Sequence, residues 1–527
     1  MGKRARWTIL AIGVLVVAAA VAAVTARSSS AGNKDISKIT WAMGATIRGL
    51  EYTHSADSGS ATVISVGCET LVKYDRNGGL VPALADSFST PNATTYVYHV
   101  RKGVKFWDGK PLTAADVLYS LQQAASKSAG SQIAAFYTSV KSMTAKGSTI
   151  TIKLTAPDPY FRYSPAVTYI LEKAFWQRNG KKTGSPGTLT MCTGPYRFTK
   201  FVPDDRVEAT RFDGYWGQRP EVKNVVLRFI TNDATRLLAM RSGEIDGSFR
   251  ISQDQIDQWK RLSGVSIKLA PELRTAYLSL DLDTAPWSDV HVRRAVAYAM
   301  DKSGLVNAVL RGYGQPAPVM PPPQQWGDVA SQAYVAKLYK SFPSYPFSIA
   351  KAKAELAKSK YPNGFTATLP YPDSQQTLGK AALSLAANLK QIGVTLNVQQ
   401  VTTDAWFTAL FAHKDLGAQI ISWGVDYPDP ADALHFIYDS AAATANNFNT
   451  ANYKNPQMDK LLHIQQSSVN PKVRADAVAN ALKLTARDVP YIPIWYQQVA
   501  MALKSKYSYD FGTWYLYTPW VAGITSK

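Results

Sequence analysis

The stretch "LGKAALSLAANLKQIGVTLNVQQV", residues 378–401, restricts the fold more than any other. Apolar residues recur at helical spacing, Gly393 closes the helix, and an alternating strand follows at once. The strand-like "ATLPYP" (367–372) stands just before it. A helix fed and followed by strands belongs to an α/β layer with a mixed sheet. The same alternation runs through the second half of the chain. "AYLSLDL" (276–282) and "GAQIISWGVDYPDP" (417–430) read as strands, as does "YIPIWYQQVAMAL" (491–503). Residues 288–310 read as one or two helices, and residues 472–487 as a last helix. In the first half, "KITWAM", "TYVYHV", "STITIKL" and "NVVLRFI" read as strands, and "TGPYRFTKF" with "VEATRF" as a hairpin. Thr231 or Asn232 caps a helix that Gly243 ends. The segment "RKGVKFWDGKPLTAADVLYSL" (101–121) mixes charges, aromatics and turn residues. It reads as strand, Asp108-Gly109 turn and helix, with Thr113 as N-cap and Asp116 returning a bond to its backbone N–H. Nothing in it pairs a nucleophile with a base, so it is architecture.

The first 26 residues have the layout of an export signal: basic "MGKRAR", an 18-residue apolar run, and small residues ending at Ala26. The run approaches the ~20 residues that span a bilayer, so an uncleaved N-terminal anchor is the rival reading. No cysteine stands there to carry a lipid, and no second spanning run follows. Residues 27–37 form a polar tether. Losing Lys3, Arg4 and Arg6 takes the net charge from +20 to +17. Export and the scatter of the Lys/Arg residues argue against nucleic acid and for attraction to an anionic envelope surface. The 527 residues suffice for two or three domains. The 13 Trp, 28 Tyr and 18 Phe suit core packing, and equally a cleft of sugar or peptide size. Cys68 and Cys192 are either a disulfide or two buried thiols.

Catalytic and metal signals are weak. The six histidines are dispersed without ligand spacing, and no metal or other cofactor is expected. "SIAK" (348–351) and "KTG" (182–184) match fragments of the penicillin-recognising pattern, but in the wrong order and without S-D-N. "GYGQPA" (312–317) follows a helix and holds Pro316, unlike a dinucleotide turn.

Six stretches occur together in order: "LVPALADSF", "YHVRKGVKFWDGKPLTAADVLYSL", "CTGPYRF…FDGYWG", "DATRLLAMRSGEIDG", "VRRAVAYAMDK" and "WGVDYPDP". On these the chain resembles the extracytoplasmic solute-binding proteins of ABC importers, family 5, over roughly residues 39–500. The resemblance implies an α/β, two-lobed, periplasmic-binding-protein-like (type II) fold with mixed sheets and a hinge of two crossing segments. The crossings are expected near 268–280 and 486–500. Lobe 1 takes 38–272 and 484–527, with an inserted subdomain at about 75–190; lobe 2 takes 273–483. The resemblance also puts Cys68 and Cys192 in one lobe, which favours a disulfide.

The implied function is capture of a small solute, a di- or oligopeptide, by lobe closure, with delivery to the transmembrane subunits of an ABC permease. The chain is expected to be monomeric, exported, periplasmic or at the cell surface, and not an enzyme. In peptide-binding relatives the aspartate of a W-x-x-D pattern takes the ligand's α-ammonium, here Asp426; the alternative is that Asp426 caps the "DYPDP" turn. Trp423 and Trp406 are expected as pocket walls, Tyr277 as a contact on the incoming crossing, and Gly424 as a source of backbone groups. Ile420 stands where oligopeptide binders have a base for the peptide carboxylate, which leaves that end to another Arg or Lys, to water, or to a solute that is no peptide. The rivals are an oligosaccharide binder, a surface hydrolase, and a membrane-anchored sensor or adhesin.

Overall fold

The computed structural model describes residues 35–527 apart from 328, 425 and 426. The expected export signal, residues 27–34 of the tether, and Asp426 lie outside the described residues. Nine strands form one mixed sheet: β1 Ile36–Met43, β2 Tyr196–Val202, β3 Arg206–Arg211, β4 Val222–Phe229, β5 Gly247–Phe249, β6 Val265–Leu280, β7 Gly314–Pro316, β8 Ala418–Gly424 and β9 Tyr491–Lys504. Their order is β8-β6-β9-β5-β1-β4-β3-β2, with β7 paired to β9 off that path. β1 is parallel to both β4 and β5, and the other pairs are antiparallel. Helix Asp233–Ser242 makes the crossover from β4 to β5. Its ends are local chemistry: the Asn232 side chain accepts from Thr235 N–H, and Gly243 stops the helix at φ +85°.

Between β1 and β2 the chain builds a separate four-stranded antiparallel sheet, ordered Ala85–Asn92, Thr95–Val100, Thr149–Leu154, Val140–Lys146. Helix Ala114–Ala125 begins with the expected box: Thr113 N–H donates to Asp116 Oδ2 at 3.0 Å, and Asp116 N–H to Thr113 Oγ1 at 3.4 Å. Val117, Leu121 and Ala124 form its buried stripe.

A disulfide joins Cys68 to Cys192 across 124 residues. Beside it, the buried Glu69 carboxylate accepts from Thr193 Oγ1 at 2.9 Å, Tyr215 OH at 3.0 Å and Trp216 Nε1 at 3.0 Å. Burial raises its pKa against the pull of those three donors. Trp107, from the "KFWDG" turn, donates through Nε1 to Gly194 C=O at 3.0 Å. Gly194 in turn approaches Gly67 so closely that a Cβ would sit 2.3 Å from its carbonyl oxygen. The inserted sheet and β2 are thereby pinned to one spot.

The buried apolar side chains divide along the chain. One large cluster runs from Ile36 to Leu273 and resumes from Val499 to Ile524, with a satellite around Trp259. Two others hold residues from Ala276 to Trp495. These contain a parallel pair, Thr366–Pro372 with Thr395–Val401, joined by helix Gln376–Lys390. Residues 288–310 form two helices, Val290–Ala299 and Lys302–Val309, separated where the Asp301 side chain accepts from Gly304 N–H and starts the second. Among the described residues, β6 and β9 pass from the first set of cores to the second while paired with each other. β6 gives Leu273 to one side and Ala276 to the other; β9 gives Trp495 and then Val499. Val489 and, along β9, Ile492, Ile494 and Trp495 are packed in the second set of cores and Val499 in the first. Among the described residues no helix is long and apolar enough to cross a membrane.

Closing a loop of this length should stabilise the fold by on the order of 4–5 kcal/mol in the chain-entropy account. Reduction, or Cys192→Ser, is therefore expected to lower the first melting transition in calorimetry. Intact mass should rise by the mass of two hydrogens on reduction; an unchanged mass and melt would contradict the bond.

Candidate functional site

A cavity of about 790 Å³ lies where the two sets of cores meet. Tyr74, Tyr163, Trp514 and Tyr517 come to it from the first set, and Tyr160 lines it while packing against the second. Gly424 comes from the end of β8, Tyr427 from the segment after it, and His435 and Phe436 from the helix Pro430–Tyr438. Arg250, Glu272, Leu273, Arg274 and Val499 line it where β6 and β9 cross. A volume of this size suits a small solute of several residues or rings.

Eleven of the lining residues are Phe, Tyr or Trp, and rings touch across the gap. The Tyr427 ring stacks on Tyr163 with centroids 5.3 Å apart and planes 12° from parallel, and lies 5.6 Å from Tyr160. Tyr74 packs on Trp514 at 4.8 Å. Tyr163 OH donates to Pro428 C=O at 3.2 Å, and Tyr160 OH to Gln465 Oε1 at 2.5 Å. Behind this contact Asp429 caps helix Pro430–Tyr438 by accepting from Ala431 N–H at 3.0 Å. Its other oxygen takes Arg474 Nη2 at 2.6 Å, with both side chains buried. The Arg474 guanidinium lies 5.4 Å from the Tyr160 ring. An ion pair this buried rigidifies the segment more than it adds net stability.

The crossing supplies the charge. β6 and β9 are in register at Pro271↔Gln498 and again at Thr275↔Tyr496, so Glu272, Leu273 and Arg274 face Gln497 alone. Proline has no N–H for the ladder and favours such a break. The bulge frees the three residues from strict alternation, and all three reach the cavity. Arg250 Nη2 lies 2.9 Å from Glu272 Oε1, and Arg274 Nε 3.8 Å from the same oxygen. Arg250 Nε also donates to Tyr515 OH at 3.1 Å, and Arg274 Nη1 to Ser422 C=O at 3.1 Å. Burial lowers the Arg274 pKa, Glu272 opposes that, and Arg250 adds to it; an arginine stays charged regardless.

The residues singled out in the sequence fall in three places. Gly424 is on the cavity wall, opposite Arg274 in the β8–β6 register, where a Cβ would come within 2.9 Å of the guanidinium. Trp423 stands one layer back, its indole packed edge-on to Phe448 at 4.4 Å and 6.2 Å from Phe436, a lining residue. Trp406 and Tyr277 are core residues rather than wall. Trp406 is buried on helix Thr403–Ala412, and Tyr277 sits three residues before the end of β6, edge-on to Tyr491 at 5.5 Å. Both faces of the sheet are covered there: Leu278 and Ile420 enter one core, Tyr277 and Ile421 another. These strands reach the cavity elsewhere, through Gly424 at the end of β8, Glu272–Arg274 within β6 and Val499 within β9. Ile420, wholly buried, could offer a base no access to a solute. Ser348 is a helix cap whose Oγ accepts Lys351 N–H at 3.2 Å, and it lines no part of the cavity. Arg250, Glu272 and Arg274 escaped the sequence reading, although Pro271 followed by two charges inside a strand-like run was a visible sign of a bulge.

Two sets of cores, paired crossing strands and a cavity between them with rings from both sides define a two-lobed binding protein. The profile described as "Bacterial extracellular solute-binding proteins, family 5 Middle" matches residues 79–445, and the chain belongs to that family. Among curated relatives, the glutathione-binding protein GsiB of Pectobacterium atrosepticum is 28% identical over 484 residues, 89% of this chain and 87% of its own. Among solved structures, the substrate-binding protein CtaP of Listeria monocytogenes superposes with a TM-score of 0.83 at 22% identity, over 94% of this chain and all of its own. The periplasmic binding protein DppA of Helicobacter pylori, in complex with the peptide STSA, superposes with 0.74 at 23%, over 94% and 99%.

The Tyr427–Tyr163 stack is expected to hold the two sides together with ~0.5–1.5 kcal/mol beyond its buried area. Tyr427→Ala should shift the closed-to-open ratio by roughly two- to tenfold. Small-angle scattering of the solute-free protein would then give a larger radius of gyration than wild type; identical curves would remove the stack from the closure contact.

Proposed function

We propose that this chain is the extracytoplasmic receptor of an ABC importer, which closes on a small peptide-type solute and delivers it to the permease. The observation that carries the reading is the cavity itself, lined from both sides and floored by the two crossing strands. A solute touching both sides makes its full set of contacts only when they are together, so its binding energy goes into closure. Moving the equilibrium from 1:99 to 99:1 takes about 5.5 kcal/mol of differential affinity. Burial of aromatic faces, a few backbone bonds and one charge-assisted bond add up to that scale. The peptide bound by DppA and the glutathione named for GsiB support a peptide-type solute.

The family is one of binding proteins, and no catalytic role is assigned to any residue here. Export is supported by the signal-like start and by relatives described as extracellular or periplasmic. The basic surface supports contact with an anionic envelope. Lobe boundaries near 273 and near Trp495–Val499 fit this reading, with 75–190 as the insertion in lobe 1. The density of tyrosine and tryptophan faces favours, as a second reading, an oligosaccharide stacked on those rings.

Mass spectrometry of small molecules released from gently denatured protein tests the reading. Peptides are expected; neutral sugars would favour the second reading, and retention of nothing across a broad panel would overturn both. Asp426, by its place in the W-x-x-D pattern, is proposed to take the α-ammonium. Asp426→Asn should weaken a peptide with a free N-terminus by about tenfold in calorimetry, the loss of one charge-assisted bond; unchanged affinity would exclude that role.

A further inference from the structure

The crossing places two positive charges against one negative charge on the cavity surface. Arg250 and Arg274 approach a single carboxylate oxygen of Glu272, at 2.9 and 3.8 Å. Among the described residues neither guanidinium has a second carboxylate within 4.0 Å. The other lining carboxylates are committed elsewhere. Asp57 caps helix Ser58–Ile64, accepting from Ser60 N–H at 2.9 Å and Oγ at 2.7 Å. Asp158 accepts from Tyr160 N–H at 3.0 Å, Phe161 N–H at 3.2 Å and Ser139 Oγ at 2.7 Å. Arg274 spends one Nη on Ser422 C=O, and among the described residues no hydrogen bond uses its Nη2. Both groups line the cavity, and with Glu272 11% exposed and Arg274 33% exposed the cation is the more accessible of the two.

The backbone also departs from its preferred forms to present these groups. Arg250 sits at φ +53°, the left-handed region that a residue with a Cβ adopts only when its surroundings impose it. β6 breaks register at Glu272–Arg274, and Gly424 leaves the space that the Arg274 guanidinium occupies. Three local irregularities thus converge on one pair of cations, an arrangement that suits a ligand site better than a core.

We propose that Arg274 and Arg250 form the anion-receiving end of the cavity, so that the solute carries a carboxylate at the end that meets β6. Glu272 is the counter-charge that holds the pair when no solute is present. The carboxylate accepts two charge-assisted hydrogen bonds in a water-poor cleft, the geometry for which arginine is suited. This deepens the receptor reading, on which it rests: it assigns the solute's anionic end to residues on the crossing strands, where Ile420 offers none.

The test is calorimetry of the full chain against two tripeptide libraries, one with free C-termini and one amidated, together with a sugar acid and its neutral sugar. Wild type is expected to bind the acids at least about tenfold more tightly than the matched neutral forms. Arg274→Gln and Arg250→Gln should bring that ratio toward one, and Arg274→Lys should keep part of it. Glu272→Gln, which removes the counter-charge and spares both arginines, should tighten the acids and raise the ratio of acid to neutral affinity above that of wild type. Neutral forms bound as tightly as acids by wild type, or a ratio preserved in Arg274→Gln, would overturn the proposal while leaving the receptor reading intact. Failure to bind any member, acid or neutral, would overturn both. Should an arginine variant not fold, the Glu272→Gln result decides: acid binding that is weaker than or equal to wild type refutes the proposal.

Discussion

The pairing of β6 with β9, and the place where it slips, is the constraint on which the rest of this molecule depends. These strands belong to both sets of cores at once, each giving side chains to one side and then the other. Continuous hydrogen bonding along them fixes how the two sides face each other. The three-residue slip at Glu272–Arg274 then opens the ladder beside the cavity. A strand with unbroken alternation would send at most every second residue into the cavity. The bulge delivers two charges and an apolar residue together.

Around that opening the aromatic contacts act as a soft closure. Tyr427 reaches from the end of β8 to a ring in the opposite core, and its position depends on the segment that Asp429 and Arg474 hold. None of these contacts is large alone. A stacked pair and a few hydrogen bonds are worth a few kcal/mol, the range in which a bound solute can decide between open and closed. A stronger permanent contact would leave the solute nothing to shift. The Cys68–Cys192 bond, the Glu69 network and the capped helix Ala114–Ala125 tie together parts of the first half of the chain that do not line the cavity.

Legibility in the sequence followed the range of the interaction. The Thr113–Asp116 box, the Asn232 cap and the Gly243 and Gly393 stops are set by neighbours within a few residues, and the structure has them where the pattern put them. The two-lobed class came through six motifs taken together. The cavity residues came through poorly. Tyr277 and Trp406 are amphipathic rings at strand and helix positions, and such rings serve a core and a cleft equally well; their burial depends on what covers them. Arg274 was passed over because an arginine inside a strand-like run looks like a solvated edge until its partners across the sheet are known.

From the order of residues alone came the α/β alternation, the helix ends, the basic surface, the signal-like start and the family to which the chain belongs. The family rests on the resemblance of six motifs; the others rest on local backbone preference, on periodicity and on composition, all of which a single strand of text contains. The tertiary structure alone decided that Gly424, 150 residues after Arg274, leaves room for its guanidinium. It decided too that one carboxylate serves two arginines and that Trp495 and Val499 fall in different cores. Those facts depend on which segments meet in space, and register between distant strands is settled by the packing of both faces at once, which no local pattern encodes.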